Sequence, residues 1–261
     1  MSYEFETIDV TVDEGVAAVT LNRPDKLNPL NQKMGDGLYN AFLMLREDDN
    51  AKVVVLTGAG RAFSAGGDID DISGGTLKAD YMMGRNIGRL VQLVANIEKP
   101  VICAVNGIAA GAGAGLVLAC DVIYASERAK FSEIYANIGM VPDMGNLWFL
   151  PRIVGPYKAK ELCFSADIID AQEMYRLGIA QKVFPPEELM PKTMEFARKL
   201  AQGPALSYKL SKSFIDRGLR MTLEQFFDLE ALAVVVALQT EDFKEGINAF
   251  IEKRKPAYKG S

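Results

Sequence analysis

The stretch VICAVNGIAAGAGAGLVLACDVIYAS, residues 101–126, decides the fold. VICAVNG (101–107) shows no polar alternation, so it reads as a strand buried on both faces. AAGAGAGLVLA (109–119) passes through small residues into a helix, and CDVIYAS (120–126) is a second apolar strand. Strands of this kind alternating with helices describe an α/β domain with a largely parallel sheet.

The pattern extends outward in both directions. Upstream, NIGRLVQLVANIEK (86–99) is helical until Pro100 breaks it, and KVVVLTGAG (52–60) is another short buried strand ending in glycines. NQKMGDGLYNAFLMLR (31–46) carries Met34, Leu38, Phe42 and Leu45 at helical spacing. NRPDKLNPLN (22–31) is turn-rich, and TIDVTVDEGVAAVTL (7–21) predicts a hairpin around Asp13-Glu14-Gly15. Beyond about residue 156 the β signal fades. YKAKELCFSA, AQEMYRLG, PEELMPKTMEFARKLAQ, ALSYKLSKSFIDRG and a long run from Thr222 to Glu252 all read as helices. The expected organisation is an α/β core over 1–200 and a helical C-terminal portion over 201–261, with no linker between them.

Composition narrows the chemistry. A chain of 261 residues with 49% hydrophobic and 24% charged content can bury a sizeable core. Its net charge of −5 and lack of a basic stripe give no expectation of nucleic-acid binding. One basic cluster, EKRKPAYKG with Lys253, Arg254, Lys255 and Lys259, is either a solvated tail or an anion contact. The three cysteines, Cys103, Cys120 and Cys163, lack CxxC spacing and read as reduced core residues of a cytoplasmic protein. The opening MSYEFETIDV is polar and acidic, so no secretory leader is expected, and no apolar run is long enough to span a membrane. The chain has 0 histidines, which removes Ser-His-Asp and Cys-His pairs and the commonest ligand for zinc and non-haem iron. Acid–base work falls to Asp, Glu, Lys, Tyr or Cys.

Two glycine-rich turns follow buried strands: GAGRAFSAGGDI (58–69) and NGIAAGAGAGL (106–116). A dinucleotide fingerprint would need glycine at 116 or 63, where Leu116 and Phe63 stand, and no phosphate loop of GxxxxGK[ST] type occurs. The small residues either allow tight strand–helix packing or leave N–H groups free to point at a ligand oxygen.

Taken with TLNRPDKLNPLN, CDVIYASERAKFSE and GMVPDMGNLWFLPRIVG, these motifs stand in the order and spacing of the crotonase, or enoyl-CoA hydratase/isomerase, superfamily. The chain resembles that family from about residue 5 to 259, including the tail EGINAFIEKRKPAYKG. The resemblance implies a spiral of ββα units with a helical C-terminal trimerisation region, assembled as a homotrimer or as a hexamer made of two trimers. It implies an acyl-CoA thioester substrate, coenzyme A being part of that substrate and no separate cofactor being needed. The thioester oxygen would be held by the N–H groups of Gly67 and Ala112. Coenzyme A contacts would come from Ala65, Asp68 and Ile69 and from the turn at Lys26 and Leu27, with Lys253 a candidate for the adenosine phosphate. No metal, membrane or nucleic-acid partner is expected.

The sequence departs from hydratases of that family at both of their glutamate positions, which fall here on Gly115 and Tyr135. Glu133 lies two residues before the second, and the spacing from KF to GMVP leaves no slip to bring it into place. Asp143 remains, in GMVPDMGNLW; it is either a turn-former after Pro142 or the acid–base group. An aspartate there resembles that of ring-acting isomerases of phenylacetate degradation. Dehalogenases with an aspartate at this point also need a histidine base. Tyr135 either packs in the acyl pocket or donates a hydrogen bond, and Asn146 either touches substrate or caps the next helix. The expected activity is a shift of a 3-enoyl-CoA double bond to the 2-position by Asp143. The alternatives are a hydratase for an unusual acyl-CoA, linear or cyclic, and a non-catalytic acyl-CoA or RNA-binding homologue.

Overall fold

The structure, a computed structural model, describes residues 2–72 and 77–260. β1 (Ser2–Glu4), β2 (Ile8–Asp13) and β3 (Val16–Leu21) pair antiparallel. Glu14 and Gly15 both take positive φ (48° and 80°), the two-residue hairpin turn whose twist matches its strands. To β3 are added, all in parallel, β4 (Val53–Gly58), β6 (Val101–Val105), β8 (Val122–Ser126) and β11 (Lys182–Phe184).

A second sheet holds β5 (Ala62–Ser64), β7 (Ile108–Ala110), β9 (Lys130–Ser132) and β10 (Ile169–Asp170), in the order β10-β9-β7-β5. Successive pairs β4/β5, β6/β7 and β8/β9 each give one strand to either sheet. After β5 comes α2 (Ile69–Ile72) and then α3 (Leu77–Asn96), and after β7 comes α4 (Ala112–Leu118). The repeat of two strands and a helix is the expected spiral.

The apolar runs are buried on both faces for a definite reason. Val53, Val55 and Ile102 pack on Ala197 and Ala201 of α8 (Pro186–Ala201). Their neighbours Val54, Leu56 and Cys103 face the main core, with Leu38 and Phe42 of α1 (Gln32–Glu47) and Leu90 and Val94 of α3. Asn31 starts α1 by accepting the Met34 amide at 3.0 Å, which stops the preceding turn from running into the helix.

Several boundaries differ from the sequence reading. The helix expected over 86–99 begins at Leu77. β10 and β11 lie where the β signal fades; at two and three residues they are too short to show alternation. The long C-terminal run divides into α10 (Leu223–Leu238) and α11 (Glu241–Glu252), where the Thr240 hydroxyl accepts the Phe243 amide at 3.0 Å and starts a new helix. Between the core and α10 lies α9 (Ala205–Gly218), and neither α9 nor α10 has a buried residue.

Candidate active site

The two glycine-rich turns meet. Beyond β5, residues 65–68 are zipped to the 27–30 turn: Ala65 N–H donates to Leu27 O (2.9 Å), Leu30 N–H to Gly66 O (2.7 Å) and Asp68 N–H to Leu30 O (2.9 Å). Gly66 has φ 110°, and a Cβ on it would stand 3.0 Å from Ala110 O and 3.7 Å from the Ala112 nitrogen. Only the missing side chain lets this turn lie against the start of α4. Among the described residues, the amides of Gly67 and Ala112 donate to no acceptor, and Ala112 opens α4, where intrahelical acceptors are lacking. Both line a cavity of about 260 Å³ together with Asp143.

Asp143 is both turn-former and cavity group. Its carbonyl accepts the Asn146 amide at 2.9 Å across Met144 (φ 50°) and Gly145 (φ 78°). That turn leads into α5 (Asn146–Val154) and aims the carboxyl inward. The Tyr135 hydroxyl donates to Asp143 Oδ1 at 2.5 Å. Burial lifts the Asp143 carboxyl above its ordinary range, with the Tyr135 bond opposing the lift. Burial and the adjoining carboxylate hold Tyr135 in its protonated, donating form. Asn146 touches neither solvent nor the helix cap. Its Nδ2 donates to Gly111 O (3.1 Å), Tyr135 Oη (3.2 Å) and Asp143 O (3.0 Å), tying the turn to the glycine strand end.

Replacing Tyr135 by Phe removes a hydrogen bond to a charged acceptor, with an expected loss of about 1–3 kcal/mol of stability. Because that bond holds the Asp143 pKa down, the acid limb of any Asp143-dependent activity moves to higher pH in Tyr135→Phe. A denaturation curve and a pH–rate profile on the same variant check both effects.

The remaining sequence candidates cluster less tightly. Asp68 also lines the cavity, but its carboxylate is held by Arg23 at 2.7 Å and pulled below its usual pKa by that bond. Lys26 is exposed and reaches Asp70 at 3.5 Å, and Leu27 and Ala65 are joined through their backbones. With the exposed Ile69, these residues form one edge beside the cavity without lining it. The amides of Ala65 and Asp68 are used internally, and the Asp68 carbonyl accepts the Asp71 amide at 3.0 Å. Lys253 caps α11 with φ 56°, exposed and away from the cavity of its own chain. Unanticipated lining comes from Gln32, Gly35, Asp36 and Tyr39. Their spacing along α1 marks a second face opposite Met34 and Leu38, a signal present in the sequence. α3 contributes Ile87 and Leu90 from across the cavity.

The two positions where glutamate is missing have structural occupants. A Cβ on Gly115 would come within 2.7 Å of Met144 O and 2.9 Å of Asn146 Nδ2, so the Asp143 turn fills that space. Tyr135 occupies the other. Glu133 is 0% exposed, and neither carboxylate oxygen has a hydrogen-bond partner among the described residues.

Comparison with known proteins extends the geometry. The family described as Enoyl-CoA hydratase/isomerase matches residues 11–261. The chain is 36% identical over 253 residues to the 1,2-epoxyphenylacetyl-CoA isomerase of Escherichia coli K12, covering 95% of this chain and 97% of that one. It is 35% identical over 255 residues to the crotonyl-CoA hydratase of Syntrophomonas wolfei, covering 96% and 97%. A crystal structure of an enoyl-CoA hydratase from Bacillus anthracis superposes with a TM-score of 0.94 at 34% identity, covering 98% of this chain and 100% of that one.

Proposed function

Because the chain belongs to the enoyl-CoA hydratase/isomerase family, we propose that it is an acyl-CoA isomerase that moves a double bond from the 3- to the 2-position. The observation that carries this reading is the partly buried carboxyl of Asp143 in one cavity with two unspent amides. Asp143 takes the proton from C2 of the 3-enoyl thioester. The electrons spread into a dienolate whose negative oxygen accepts the Gly67 and Ala112 N–H groups, each such donor being worth about 3 kcal/mol of barrier. The same carboxyl returns the proton at C4, leaving the 2-enoyl thioester. One base suffices because the proton is returned and no water is consumed.

Coenzyme A enters as part of the substrate, and the reaction needs no other cofactor and no metal. The edge at Lys26, Leu27, Ala65 and Ile69 is the proposed coenzyme A contact, and Lys253 of a neighbouring subunit its phosphate contact. The assembly proposed is a homotrimer or a hexamer of two trimers. α10 supports it, since Phe227, Leu232 and Val235 are exposed at 55%, 67% and 57% in the single chain. Sedimentation should therefore return the mass of three or six chains; a monomer would overturn the assembly. The setting proposed is the cytoplasm, and no helix among the described residues is long and apolar enough to cross a membrane.

A hydratase acting on an unusual acyl-CoA, linear or cyclic, is the second reading, its reaction type favoured by hydratase-named relatives such as that of S. wolfei. A panel of 2-enoyl- and 3-enoyl-CoA thioesters separates the two. Conversion of the 3-enoyl to the 2-enoyl thioester supports isomerisation; rapid water addition to 2-enoyl-CoA supports the hydratase.

A further inference from the structure

Around the Tyr135–Asp143 pair, two buried polar side chains lack hydrogen-bond donors. Glu133 and Asn146 are both 0% exposed. Three buried side-chain oxygens, Glu133 Oε1 and Oε2 and Asn146 Oδ1, accept nothing from the protein among the described residues. The amide end of the same Asn146 holds Tyr135 Oη and the Asp143 carbonyl. Glu133 is therefore a fully buried carboxyl group within electrostatic reach of both members of the acid–base pair.

We infer that Glu133 is a positioning residue that works as a neutral carboxylic acid: enclosed where no donor reaches either of its oxygens, it keeps its proton as the donor, and its neutrality keeps a second negative charge away from Asp143. The inference rests on the reading of Asp143 as the base. The titratable groups around Glu133 are Tyr135 on the adjoining 3-10 turn (Ile134–Ile138), Asp143 before α5, and Cys163 on α6 (Pro156–Ser165). None of them carries positive charge, and no Lys or Arg pairs with Glu133 among the described residues. Burial, then the Asp143 charge, lifts the Glu133 pKa to about 8. Burial and Glu133 together push the Cys163 thiol up to about 11. At neutral pH the acid form prevails, and it is lost as the pH rises through about 8.

Glu133→Gln keeps a side-chain donor and cannot ionise, whereas Glu133→Leu loses both properties. Wild-type kcat is expected to change above about pH 8 as Glu133 ionises, and Glu133→Gln to lack that alkaline break. Glu133→Leu is expected to lower kcat about tenfold below about pH 8, where the wild type keeps its proton, with KM little moved, the weight of one hydrogen bond. An alkaline break unchanged in Glu133→Gln, or equal turnover in the Gln and Leu variants, overturns the inference. Infrared difference spectra of wild type against Glu133→Gln decide it even if Glu133→Leu fails to fold. A protonated-carboxyl band at pH 7 that disappears at alkaline pH supports the inference, and its absence at pH 7 overturns it. Full activity of Asp143→Asn would instead remove the base assignment, leaving the carboxyl band as the measure of Glu133 itself.

Discussion

Asp143→Asn should lose at least about a hundredfold in kcat for isomerisation of a 3-enoyl-CoA, the usual weight of a positioned general base. The substitution is a clean one in this site. The side-chain amide it introduces would still accept the Tyr135 hydroxyl through its carbonyl oxygen, and the turn rests on the backbone bond from Asn146 N–H to the carbonyl of residue 143. Folding and thioester affinity should therefore change little, so the loss falls on kcat and leaves KM near its wild-type value. The wild type should also show an acid limb. Only the ionised carboxylate can take a proton, and burial raises the Asp143 pKa, so activity falls at a higher pH than an ordinary carboxylate would dictate. Asp143→Asn should have no such limb on whatever activity remains. Undiminished turnover in this variant would sink the assignment.

The parts of the molecule visible in the sequence are those with long periods or strong punctuation. Six-residue strands such as β2 and β4, the sixteen-residue α1 and the hairpin at Glu14-Gly15 each repeat their pattern often enough to be read. The second sheet is hidden, because β5, β7 and β9 have only three residues each and β7 is written in alanines that suit a helix equally well. The site divides in the same way. The family resemblance singles out Gly67, Ala112 and Asp143, and the cavity gathers all three. It does not show that Tyr135 is a donor to Asp143, eight residues away, because that contact depends on two consecutive left-handed residues at 144 and 145. A non-glycine residue such as Met144 gives no warning of positive φ. Glu133 is equally opaque: the motif register says only that it misses the second glutamate position by two residues, and its burial comes from tertiary packing.

The other large effect concerns the carboxylate that the chain lacks. Gly115→Glu, which restores the residue type found in hydratases, should not create a hydratase; it should cost more than about 3 kcal/mol of stability, beyond the usual range for overpacking because backbone must move. Gly115 lies in α4, fully buried, and its Cβ would meet Met144 and approach Met144 O to 2.7 Å. A flexible side chain could swing aside, but a carbonyl in a tight turn cannot. The longer glutamate adds a carboxylate in a space without a free donor, since Asn146 Nδ2 is already shared among three acceptors. To admit it, the 143–146 turn would have to shift, taking Asp143 away from Tyr135 and the cavity. A glutamate at position 115 and the aspartate at 143 are thus alternative occupants of one volume in this chain. Gly115→Ala, carrying only the Cβ, should show the smaller part of the same loss, about 1–3 kcal/mol. Denaturant midpoints for the two variants, with a water-addition assay on 2-enoyl-CoA, test the idea. A Gly115→Glu protein with a wild-type midpoint would refute the steric argument, and one that also hydrates 2-enoyl-CoA would show that the two carboxylates can share the site.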